Sequence, residues 1–117
     1  MPPVIYLSHE NVLIGFENKC NMYVFCPTFR IAQWIFPRAV ELYKGPDGRV
    51  EKNKYHIERG FVGLRFGSMG SDSLVEKIYG YQGLVMFPPE CQFDHRHPEN
   101  LHQINKRNQR YIKPWQP

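Results

Sequence analysis

Apolar positions in this chain come in short runs broken by turn residues. Residues 4–7 and 12–16 flank the polar stretch Ser8-His9-Glu10-Asn11, and Met22-Tyr23-Val24-Phe25-Cys26 follows Asn18-Lys19. β-Branched and aromatic residues between close turn signals predict a strand for each run. Pro27 closes the third, because it cannot donate to a ladder. From Thr28 the period changes. Ile31, Ile35, Ala39 and Leu42 recur at three- and four-residue steps, the spacing of one helix face. Thr28 suits the N-cap and Gly45 the position after the last turn. Pro37 interrupts this pattern, so a kink or a fresh helix start is expected there.

Gly45-Pro46-Asp47-Gly48 reads as a tight turn. Lys52-Asn53-Lys54 is polar and expected to be exposed. Residues 55–58 and 61–66 read as strands, the second alternating Phe61, Gly63, Arg65 against Val62, Leu64, Phe66. The glycine- and serine-rich stretch 67–73 reads as a loop. Ser73 and Glu76 have capping-box spacing, which predicts a short helix over 74–79 closed by Gly80. Residues 83–87 read as a last strand stopped by Pro88-Pro89. After that, apolar residues thin out and Asn, Gln, His, Arg and Pro take over, with a short basic helix expected over 101–108. The expected architecture is a small β-rich α+β domain over residues 1–89, with five or six short strands and one or two short helices. A basic, aromatic-containing C-terminal tail over 90–117 would follow it in extended form.

Length and composition agree with one ordered domain. The chain has 117 residues, 42% hydrophobic and 15% aromatic, too apolar for disorder throughout. No apolar run approaches the roughly 20 residues that span a bilayer. The start lacks the positive and long apolar regions of a secretory signal, and no Arg precedes Arg30. Three cysteines make an odd number for a disulfide scaffold. An intracellular protein with reduced thiols is expected, either cytoplasmic or organellar, a mitochondrial protein without a recognisable cleaved presequence included.

The net charge of +4 is uneven. Residues 1–90 carry 10 basic and 9 acidic side chains, a net of +1, and residues 91–117 carry 5 and 2, a net of +3. Lys106, Arg107, Arg110 and Lys113 are interleaved with Tyr111 and Trp115 and meet no acid after residue 100. Flat rings beside cations can anchor a protein partner or stack on unpaired bases. These six residues are the candidate binding set.

Three other patterns bear on chemistry. Cys20, Cys26, Cys91 and His95 are a candidate zinc set if the fold joins the two ends of the chain, although Cys20 and Cys26 are six apart, wider than a zinc knuckle. Otherwise no cofactor is expected. His95-Arg96-His97 resembles the histidine pair of rolling-circle nucleases, but here it lies between Asp94 and Pro98 instead of on an apolar strand. Gly67-x-x-Gly70 resembles the loop with which KH domains clamp a nucleic-acid backbone, with Ser68-Met69 where a basic residue is usual. No nucleophile elbow or metalloprotease helix is present. The sequence therefore favours a non-catalytic accessory or structural subunit of a larger macromolecular assembly, docking on protein partners through its tail. The alternatives are a stand-alone RNA- or DNA-binding module of viral type, and a small zinc protein or nuclease-like enzyme.

Overall fold

A computed structural model describes residues 6–68, 80–88 and 98–112. The fold is α+β: a five-stranded mixed sheet with helices on both faces. Helix α1 is His9–Glu17, strand β1 is Met22–Cys26 and helix α2 is Phe29–Tyr43. Strands β2 (Arg49–Glu51), β3 (His56–Arg59), β4 (Val62–Ser68) and β5 (Leu84–Met86) follow, then helix α3 (Pro98–Asn108). The strand order is β2-β3-β4-β1-β5. β1 lies parallel to both β4 and β5, and β2-β3-β4 is an antiparallel meander.

The period of two divides each strand between two faces. The first face carries Met22, Val24 and Cys26 of β1, Val62, Leu64 and Phe66 of β4, Ile57 of β3, and Leu84 and Met86 of β5. All are buried in one cluster with Val12 of α1 and Ala32, Phe36, Ala39 and Tyr43 of α2. The second face carries Phe25, Val85 and Phe87, which α3 covers through Ile104.

Residues 12–16, expected as a strand, lie in α1. Ser8 is its N-cap, accepting from the Asn11 backbone N–H at 3.1 Å. Asn11 is itself buried and donates its side-chain amide to the Tyr6 carbonyl at 2.8 Å. A five-residue apolar run does not distinguish strand from helix by period, and here the cap decides. Tyr6 keeps an isolated parallel bridge to Phe87.

Helix α2 starts at the expected cap, with Thr28 Oγ1 accepting from Ile31 N at 3.2 Å. It is followed by Gly45 at φ 71°, the left-handed conformation that favours glycine after a helix end. It runs on through Pro37, so no fresh helix starts there. Its buried stripe is Ala32, Phe36, Ala39 and Tyr43: Ala39 is buried as expected, while the other three lie one position on from Ile31, Ile35 and Leu42. Ile31 and Ile35 are consequently half-buried and Leu42 is exposed. The strands of β3 and β4 stand where they were expected, whereas β2 was not anticipated.

The boundary expected at residue 89 falls in a stretch, 89–97, that lies outside the described residues. Residues 98–108 form α3, Gln109–Tyr111 add a 3-10 turn, and both Ile104 and Ile112 are fully buried. Ile104 packs on the second face and Ile112 in the first cluster, so the chain turns around the β5 edge. The helix expected over 74–79, most of the 67–73 loop, and Cys91, His95, His97, Lys113 and Trp115 lie outside the described residues.

Candidate functional site

The sheet register builds a side-chain row on the second face. Tyr23 of β1 pairs with Arg65 of β4, which pairs with His56 of β3. Neighbouring strands lie about 4.8 Å apart, so the three side chains start as adjacent posts. Two glycines on β4 decide how the rings lie. A Cβ at Gly63 would stand 2.5 Å from His56 Cε1, and one at Gly67 would stand 2.2 Å from the Tyr23 hydroxyl oxygen. The tip of each ring therefore reaches over a glycine of β4, into space that the Cβ of any other residue would fill. Arg65 sits between them, exposed, its guanidinium carbon 5.6 Å from the Tyr23 ring centre. Tyr23 also stacks on Phe25, with centroids 4.2 Å apart and planes at 14°.

On the β3–β4 half of this face Arg65 is exposed and His56 and Glu58 are half-buried. A hollow of about 280 Å³ opens there, walled by Asn21, His56, Glu58, Arg65 and Tyr81 beneath the fully exposed Phe61. Phe61 occupies the β3–β4 hairpin, which Gly60 turns at φ 62°. Asn21 braces the floor: its side-chain oxygen accepts from Gly63 N at 3.0 Å and its backbone carbonyl from Leu84 N at 2.8 Å. The carboxylate of Glu58 is engaged by Arg49 on β2, and Glu51 faces Lys54 at 3.5 Å. Both of these acids thus have a cation beside them.

Tyr81 links this hollow to a second one. Its ring meets Tyr23 edge-on at 5.5 Å, and its backbone carbonyl accepts from the Arg107 guanidinium. Burial pushes the Tyr81 phenol up to about 12; negative charge on Cys20 or Tyr23 would add to that, while Arg65 and Arg107 act against it. Arg107 also lies over the Tyr111 ring at 5.2 Å, and the two line a 320 Å³ hollow with Gln103, Lys106 and Arg110.

Four of the six sequence-derived binding residues are therefore neighbours, but their roles divide. Lys106 and Arg110 are exposed. Arg107, only 6% exposed, is turned inwards, donating to the Gly83 carbonyl and to Asn108 Oδ1 at 2.8 Å each. Tyr111 packs partly into the core. Lys113 and Trp115 fall outside the described residues.

The composite zinc set does not assemble on its described half. Cys20 precedes β1 and Cys26 ends it, both buried. The four strand steps from Met22 to Cys26 alone span about 13 Å, whereas thiolates sharing a zinc at ~2.3 Å must nearly touch. Burial also raises the Cys20 thiol, opposed by the Leu84 backbone and by Arg107, which disfavours the thiolate a metal needs. Among the described residues no group of three or more His, Cys, Asp or Glu is placed to hold a metal ion, and no helix is long and apolar enough to cross a membrane.

A third surface lies on the opposite side of the sheet. Helix α2 turns Trp34 outwards, 79% exposed, with Phe29 and Leu42 half-exposed. Trp34, Pro37, Arg38 and Glu41 line a groove of about 530 Å³ with Leu7 and Pro88. Sequence reasoning missed both this ridge and the Tyr23–Arg65–His56 row. The outward turn of Trp34 was implicit in the one-position shift of the α2 stripe, but the row depends on register between distant strands. Comparison of the chain with family models, with curated proteins and with solved structures returns no match.

Proposed function

We propose that this protein is a non-catalytic subunit of a larger macromolecular assembly, held to a protein partner by the outer face of α2. The supporting observation is Trp34. An indole left 79% in water beside a groove is a strong anchor, because burying it removes a large apolar surface at little rotamer cost. Arg38 and Glu41 flank the groove with opposite charges, so the fitting partner presents an apolar side chain between one acid and one base. This moves the attachment from the tail, where the sequence pattern put it, to the helix. The described part of that tail contributes Ile104 and Ile112 to the interior, so its removal would test folding and not docking.

The test uses the full chain in native lysate, followed by size-exclusion chromatography. The wild type is expected to elute well above 13.9 kDa. Trp34→Glu should elute as the free chain with an unchanged melting curve. Elution of both at monomer size would overturn the reading.

A further inference from the structure

We infer that the open half of the second sheet face binds single-stranded nucleic acid, bases on the Tyr23 and His56 rings and phosphates on Arg65, with the strand leaving past Tyr81 towards Lys106 and Arg110. This goes beyond the subunit reading and is independent of it, since α2 lies on the other side of the sheet. The first argument is the attitude of the rings. Side chains on a strand normally stand up from the sheet. Here Gly63 and Gly67 leave room beside β4 for the tips of the His56 and Tyr23 rings. Tyr23 is backed on one face by Phe25, and Arg65 lies 5.6 Å from its centre, where a base would meet ring and cation together. Base stacking needs such platforms and tolerates any base, because every base has a π-face.

Charge provides the second argument. Glu58 and Glu51 each have a cation at hand, in Arg49 and Lys54. Arg65 between the rings, with Lys106 and Arg110 beyond Tyr81, leaves the path net positive among the described residues. Continuity provides the third. The Tyr23–Tyr81 edge contact and the Tyr81–Arg107 hydrogen bond make the two hollows neighbours through one residue. A free nucleotide would use one hollow, whereas a strand engages both. A duplex keeps its base faces stacked internally and offers nothing to the rings.

The experiment is fluorescence anisotropy with the full chain, 5′-labelled dT12, its duplex with dA12, and unlabelled dTMP as competitor, at 50 mM salt and above. The folded wild type is expected to bind dT12 at least tenfold more tightly than duplex, with dTMP competing weakly. Arg65→Gln, at an exposed position, should leave the melting curve unchanged and weaken binding about tenfold. Lys106→Gln/Arg110→Gln should flatten the slope of log Kd against log salt by about 1.4, two contacts at ~0.7 each. Absence of dT12 binding at 50 mM salt, equal affinity for duplex, or wild-type affinity in Arg65→Gln would overturn the assignment. Binding of dTMP as tight as dT12 would also overturn it, in favour of a nucleotide site.

Discussion

The side chain of Asn108 stands in for a sixth strand beside Val85. Its Oδ1 accepts from Val85 N at 3.1 Å and its Nδ2 donates to Val85 O at 2.7 Å. Residues of a parallel strand direct N–H and C=O to the same side, and β5 has β1 on one side only. Without Asn108 both Val85 groups would face an apolar interior unmatched.

Asn108→Leu is therefore expected to destabilise the protein by about 3 kcal/mol, from two stranded buried groups at ~1–3 kcal/mol each less the added apolar contact. Asn108 is fully buried, so water cannot substitute. Chemical denaturation measures this. A loss under 1 kcal/mol would mean that the edge finds other partners.

Pro37→Ala should stabilise the protein by about 1–2 kcal/mol. Pro37 is the ninth of fifteen residues in α2, and its missing N–H leaves the carbonyl of residue 33 without its helical bond. Alanine is favoured over proline inside a helix by ~3 kcal/mol, offset by ~1 kcal/mol of added freedom in the unfolded chain. Pro37 is exposed, so little packing is lost. The urea midpoint should rise at constant slope. A fall would show that the ring is needed where it sits.

Alkaline pH should expose Tyr81. Its phenol titrates near 12 in the folded protein against an ordinary 10. Between these values the folded chain holds a proton that the unfolded chain has released, so stability falls with rising pH. The contribution is intact below pH 10 and disappears as pH climbs through 12. Tyr81→Phe should remove a late-titrating phenolate from an ultraviolet titration and flatten the stability profile above pH 10. An unaltered profile would place that phenol in ordinary solvent contact.

What was legible in the sequence is what is decided locally. Thr28 and Gly45 bound α2 because a cap and a left-handed glycine act within a few residues. The β3–β4 hairpin follows from alternation around Gly60. Helix α1 was misread because Val12, Leu13, Ile14 and Phe16 are all buried or half-buried, which hides any period. Ser8, capping Asn11, was its one local sign. Arg107 and Asn108 look like solvated tail residues until the fold turns them onto Tyr81, Gly83 and Val85. Tyr23 and His56 are 33 residues apart, and only the register that sets both beside Arg65 makes them one surface.

Strand β1, flanked by β4 and β5, is also the first strand of the sheet to be made. Met22 finds one neighbour at Leu64, 42 residues later, and the other at Leu84, 62 later. During synthesis β1 must emerge and wait with both edges open while β4, β5 and helix α2, which also covers it, are still being translated. Chain closure of that span delays folding more than it weakens the finished fold. Until β4 and β5 arrive, Met22 and Val24 of the nascent chain have neither of their sheet neighbours.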